Sequence, residues 1–308
     1  MAKDGNLYHS FSSAYKSIIN RLGRVIMAEA RDLDTIFVRK IPFEFPEDLQ
    51  PHWNSEQVEW SHMVNGTSLA MPFLEPYLIR TMRKALPAID SEVLRDEVKL
   101  YISQEGQHYQ QHRKFNDLLI AKGYSELKAV EQAMAEEYRA FEKTRSLKFN
   151  LAYACGFESM ALGIGHWLVE DRETLFAGAD TRVASLILWH FIEEIEHKNV
   201  AFDAYQSVYG DYFYRVYATV FATLHVMKFS RHAYQAMLKK DGLWGNLSSR
   251  WRLLKMISRF FGNMLPPMLS ACMPWHHPSK VQDPQWYQSW VEKYRKDPSS
   301  AMVDTTCL

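Results

Sequence analysis

Cysteine is scarce in this chain. Its 308 residues hold three, Cys155, Cys272 and Cys307, widely spaced and without a CxxC pair. That argues against a disulfide framework and a zinc ribbon, and a reducing cytoplasm is the expected compartment. Net charge is lacking as well: 36 basic residues stand against 36 acidic ones, so no global field draws the chain to nucleic acid or to an anionic membrane. No stretch approaches the roughly eighteen consecutive apolar residues of a membrane span. The opening residues MAKDGNLYHSFSSAYKS lack the apolar core of a signal peptide. GxSxG is absent, internal repeats are absent, and strand-like alternation is almost absent.

Apolar residues, by contrast, make up 47% of the chain and aromatics 14%, the composition of an ordered protein with an aromatic interior. Residues 1–51 read as an N-terminal extension, with a short helix over 17–28. An extended arm follows at Phe37 to Pro46, where prolines disfavour helix. Helical signals then dominate. Asn54 or Ser55 caps a first helix over about 55–85, which Pro72 and Pro76 should kink or divide near Phe73-Leu74-Glu75. A second spans 90–122 and stops at Lys122-Gly123. A polar third helix over 125–146 reads as an exposed connector. A nearly neutral fourth over 146–172 belongs inside a bundle. A fifth covers 180–207 and a sixth 211–240. Residues 241–308 read as a less regular helical extension. The expectation is an all-α protein, with a bundle core over 52–240 between the two extensions.

The fifth helix carries His190, Glu194 and His197 at spacings of four and three. At about 100° per residue these side chains share one helical face. Glu194-Ile195-Glu196-His197 is a Glu-x-x-His, and the second helix carries another, Glu105-Gly106-Gln107-His108. The first and fourth helices each carry a glutamate among apolar residues, Glu75 and Glu158. An isolated buried carboxylate costs several kcal/mol, on the order of the desolvation of one ion, so each calls for a partner. Glu, Glu-x-x-His, Glu, Glu-x-x-His on four helices is the dinuclear arrangement of ferritin-like bundles. Four carboxylates balance two divalent ions, and oxygen-rich donors with a few imidazoles suit iron, manganese or another divalent metal. The expected metal ligands are Glu75, Glu105, His108, Glu158, His190, Glu194 and His197. His190 has a competing reading as a hydrogen-bonded core histidine. Glu193, Glu196 and His112 read as supporting or surface groups, His166 as structural, and Glu56 and Glu59 as a solvated helix start.

The arm Val38-Arg39-Lys40-Ile41-Pro42-Phe43, the segment Gln104 to His108 and the segment His190 to His197 resemble the family labelled predicted metal-dependent hydrolase. The ligand order is also similar to that of di-iron proteins of the p-aminobenzoate N-oxygenase type, whose His-x-x-x-Glu-x-x-His form is matched by His190, Glu194 and His197. That second resemblance implies two iron ions, dioxygen as co-substrate and a di-iron oxygenase or oxidase acting on a small hydrophobic molecule, with an electron-donor protein as a further partner. The alternative is a metal-dependent hydrolase in which two ions deprotonate a water. Metal storage or peroxide handling ranks below both. Trp251 to Leu265 offers an amphipathic stretch for a homodimer contact, simple packing or a peripheral membrane contact.

Overall fold

The arm over 36–46 runs without regular secondary structure, as its prolines require, and buries Ile36, Arg39, Ile41 and Phe43. The computed structural model describes residues 36–308, which form one compact unit, so the helix expected over 17–28 lies outside the described residues. Beyond the arm the described residues are helical, with no strand among them, and the protein is all-α.

The helices are α1 (Val58–Ser68), α2 (Met71–Ala85), α3 (Glu92–Ala121), α4 (Leu127–Thr144), α5 (Leu147–Glu170) and α6 (Arg172–Phe176). They continue as α7 (Thr181–Glu196), α8 (Val200–Val208), α9 (Tyr212–Lys240), α10 (Leu247–Ala271) and α11 (Gln285–Lys296). Side-chain caps start most of the long ones. Ser91, Ser146, Asp180, Asp211 and Asn246 each accept a backbone N–H in the first turn of α3, α5, α7, α9 and α10. Gly123, at φ 106°, ends α3 in a conformation that other residues rarely adopt.

Four helices close a ring in which α2 packs on α3, α3 on α7, α7 on α5 and α5 on α2. α5 is buried along nearly its whole length. It lies against α9 so closely that a methyl group on Gly156 would sit 2.6 Å from the Thr219 Cα. Only glycine permits that approach, two residues before Glu158.

Several boundaries differ from expectation. The first helix breaks at Leu69-Ala70, so that Pro72 sits in the first turn of α2, where its missing N–H costs nothing, while Pro76 stays inside the helix. The helix expected over 180–207 stops at Glu196, with His197 as its cap, and restarts at Val200. Gln57, not Asn54 or Ser55, precedes α1; the Asn54 amide donates instead to the Leu175 carbonyl. Glu59 is buried and paired with Arg252 at 2.8 Å rather than solvated. α4 is no mere connector, since Leu127, Met134, Tyr138 and Phe141 bury one face of it. The stretch after 247 is more regular than its prolines imply. α10 runs through Pro266 and Pro267 on a solvent-facing stretch where water can satisfy the carbonyls they leave free. No described helix is long and apolar enough to cross a membrane.

Candidate metal centre

Each wall of the ring contributes donors. α2 supplies Glu75, α3 supplies Glu105 and His108, α5 supplies Glu158, α7 supplies His190 and Glu194, and the cap of α7 is His197. All seven are buried. They fall into two groups, Glu75 with His108 and His190, and Glu105 with Glu158, Glu194 and His197. Within each group the donor atoms lie within 4.8 Å of one another. Glu194 joins the two. Its Oε1 is 3.1 Å from His190 Nε2 and 3.8 Å from His108 Nδ1, while its Oε2 is 3.2 Å from His197 Nε2.

The hydrogen bonds around the histidines fix which nitrogen of each faces the centre. His108 Nε2–H donates to Glu193 Oε2 at 3.0 Å, leaving Nδ1 turned toward Glu105 and Glu194 with no hydrogen bond. Gln104 uses its amide N–H on Glu196 and on the Phe37 carbonyl, so its Oε1 must accept His197 Nδ1–H at 3.0 Å, leaving Nε2 inward. His190 is set by a longer chain. The Asn116 amide donates to the Ser68 carbonyl, so Asn116 Oδ1 takes the Ser68 hydroxyl proton. Ser68 Oγ must then accept from His112 Nδ1–H, and His112 Nε2 from His190 Nδ1–H, both at 2.8 Å. His190 Nε2 is left bare beside Glu194. Outer partners of this kind orient histidine ligands in metal proteins.

Glu193 and Glu196 are held in turn by Arg39. Its guanidinium donates to Glu193 at 3.0 Å and to Glu196 at 2.6 Å, and it is flanked by the rings of Phe37, Trp290 and Tyr294 at 5.2–5.3 Å. The arm thus reaches the centre through one buried cation. Sequence reasoning assigned Arg39, Gln104 and Asn116 no role at the site. The one signal was that Arg39 and Gln104 stand within the segments that carry the family resemblance.

Electrostatics separate the carboxylates. Burial, reinforced by the charges of Glu194 and Glu158, raises Glu75 and Glu105 well above the ordinary range, and burial beside Glu194 raises Glu158 to about 7. Burial alone would raise Glu194 too, but His197 and His190 hold it low. His197 is raised by Glu194 and Glu158 against its own desolvation. His108 is lowered by burial and by His190. Without cations the electrostatics therefore favour an ion pair between Glu194 and His197 and the protonated forms of Glu75 and Glu105.

The donors fit metal ions. Both oxygens of Glu75 and of Glu105, one each of Glu158 and Glu194, and His108 Nδ1 are buried and make no hydrogen bond within the protein. Such atoms are costly unless a cation faces them. Two donors at right angles on one ion, with bonds of about 2.1 Å, lie about 3.0 Å apart, close to the 3.1–3.4 Å separating Glu194, His190, His197, Glu105 and Glu158. A third set, His52, His62 and Asp241, contrasts with these. Both Asp241 oxygens are already hydrogen-bonded, to the two histidines and to Tyr124.

Beside the centre lies a chamber of about 410 Å³ between α1, α5, α9 and α10. Met63, Met160, Trp167 and Phe157 are among its walls, and His112 and His190 form its polar inner end.

A family model described as predicted metal-dependent hydrolase matches residues 37–282, covering the arm, the ring and the chamber. The searches of curated proteins and of solved structures found no match. The chain belongs to the predicted metal-dependent hydrolase family.

Proposed function

We propose that the seven side chains hold two divalent metal ions, and that the protein is a metal-dependent hydrolase acting on an apolar substrate admitted through the chamber. The supporting observation is the set of buried, unpartnered carboxylate oxygens and the bare imidazole nitrogen turned toward one another. Glu75, His108 and His190 would hold one ion, Glu105, Glu158 and His197 the other, and Glu194 would serve both. Two such ions supply Lewis acidity and acidify a bound water.

The chain does the rest of the work. Apolar walls exclude bulk water and align the substrate, while His190, His112 and Ser68 mark the end where the reacting group would rest. Ser68 is not a free nucleophile, because its proton is committed to Asn116. Glu193, Gln104 and His112 keep three imidazoles in the tautomers that leave the inner nitrogens bare.

A second reading, oxidation by dioxygen at two irons, is favoured by the donor set. Four carboxylates to three imidazoles in a dry interior is oxygen-rich for a hydrolase, and the Tyr101 hydroxyl donates to Glu158 at 2.7 Å. One preparation tests both. The protein is loaded without oxygen with ferrous iron, manganese or zinc, its metal counted, and p-nitrophenyl esters from acetate to decanoate supplied. Two ions per chain, with hydrolysis favouring the longer esters, are expected. Oxygen uptake by the ferrous protein with a new optical band, and no ester cleavage, would move the assignment to oxidation. Fewer than two ions per chain would end the dinuclear reading.

Metal uptake should also release protons. The raised carboxyls keep theirs near neutral pH in the metal-free protein, and a cation must displace them. Affinity should therefore rise as pH increases from 6 to 8 through the value of about 7 at Glu158. Calorimetry in buffers of different ionisation enthalpy counts the protons. A pH-independent affinity would contradict this.

A further inference from the structure

α9 and α10 contain no aspartate or glutamate. α9 carries Arg215, Lys228, Arg231, Lys239 and Lys240, and α10 carries Arg250, Arg252, Lys255 and Arg259. Some meet acids from neighbouring elements, as Arg252 meets Glu59, Arg259 meets Asp171 and Lys228 meets Glu137. Arg231, Lys239, Arg250 and Lys255 meet no acid among the described residues.

The same helices expose apolar side chains at helical spacing. On α9 these are Phe213 (82% exposed), Tyr217, Val220 and Leu224. On α10 they are Leu247 (86%), Trp251, Leu254, Phe261, Leu265 and Leu269. A face of this size on a soluble surface calls for a partner. The two helices meet where α9 begins and α10 ends, since Arg215 and Tyr212 of α9 donate to the carbonyls of Ala271 and Cys272. Both helices line the chamber: the α9 stripe ends at Leu224, one turn before Lys228, which with Arg231 stands at the chamber's exposed rim, and the α10 stripe reaches that rim at Phe261.

We propose that the α9–α10 face docks on an anionic phospholipid bilayer, with the chamber rim against the membrane. Exposed tryptophan, phenylalanine and leucine inserted at the headgroup boundary, among lysines and arginines that meet lipid phosphates, are the two attractions by which a helix lies on a charged membrane. A second copy of the chain is the weaker occupant. Self-association through this face would bring the unpaired bases Arg231, Lys239, Arg250 and Lys255 of two copies together with no unpaired acid on α9 or α10 to meet them, and like charges repel. An apolar molecule leaving the bilayer would meet the rim directly. The docking does not depend on which reaction the metal centre performs.

Flotation of the 308-residue chain with phosphatidylcholine vesicles, with and without 30 mol% phosphatidylserine, tests this. Binding to the anionic vesicles and weakening at high salt are expected. Each basic residue near such a surface is worth roughly five-fold, so Arg231→Glu, Arg250→Glu and Lys255→Glu together should reduce partitioning by about a hundred-fold or more. Trp251→Ser with Leu254→Ser should release the protein even at low salt, whereas Lys99→Glu on α3 should change little. These positions are exposed, and circular dichroism with melting checks that the variants fold. Absence of binding to anionic vesicles, or a dimer in sedimentation that Trp251→Ser disperses, would overturn the proposal.

Discussion

Glu194→Ala is expected to abolish binding of both ions, the largest loss available from one substitution at the centre. The two oxygens of Glu194 face different groups, Oε1 toward His190 and His108 and Oε2 toward His197. Glu105 also nears both, but through a single oxygen, 3.4 Å from His197 Nε2 and 3.9 Å from His108 Nδ1, whereas Glu194 turns a separate oxygen to each group. A change in the outer partners of a metal site costs about 10–100-fold in affinity, and removal of a shared ligand should exceed that. Glu105→Ala, by contrast, removes a ligand from one group, so one ion should be lost and the other weakened. Metal counted after dialysis gives the stoichiometry. The rise in melting temperature on adding metal, which reports binding to the folded state alone, should vanish in Glu194→Ala. Two ions retained in that variant would refute the shared role.

That these side chains, which we propose as ligands, would gather in one interior was legible in the sequence for a definite reason. Helical periodicity turns spacings of three and four into one face, and a carboxylate embedded in an apolar run has few explanations. Glu158, in the middle of Gly156-Phe157-Glu158-Ser159-Met160, shows both effects. His190 could not be placed that way, because a histidine one turn from a glutamate is equally at home as a ligand or as a core hydrogen-bonding group. The structure adds that the chain Asn116, Ser68, His112 engages one ring nitrogen of His190 and leaves the other beside Glu194, which depends on how α3 packs against α1 and α7. Local spacing does not encode that packing.

The break at His197 to Asn199 was hidden for a related reason, whereas the division of the first helix was expected at its prolines near Phe73-Leu74-Glu75 and falls a few residues earlier, at Leu69-Ala70. Leu69, Ala70 and Asn199 keep right-handed helical dihedrals through these breaks, so local spacing alone does not locate them. His197 is the instructive case: it keeps the i+3 relation to Glu194 that the motif announces, yet stands at the end of its helix. Arg39 was the least legible of all. Its partners are more than 150 residues away, and one arginine in an extended arm gives no sign of being buried.

Arg39→Met should therefore be costly well beyond its distance from the ligands. Removing one partner of a buried ion pair strands the other, at about 3–5 kcal/mol, and Arg39 serves two carboxylates, Glu193 and Glu196. For a chain of this size the melting midpoint should fall by roughly 5–15 °C. Metal affinity should fall too. Burial already raises Glu193 to about 8 against the pull of Arg39, and losing the guanidinium would raise it further; the hydroxyl of the protonated form could donate toward His108 Nε2, favouring the tautomer with the proton on the inner nitrogen. The variant combining Arg39→Met with Glu193→Gln and Glu196→Gln separates the two effects. It leaves no unpaired charge, and the amide carbonyl oxygen introduced by Glu193→Gln can still accept from His108. Stability and metal affinity should both recover much of their loss. An Arg39→Met protein that melts at the original midpoint and binds metal normally would show that the arm is only a covering strap. The expected result makes it part of the metal site, linked to the ligands through two carboxylates and one tautomer.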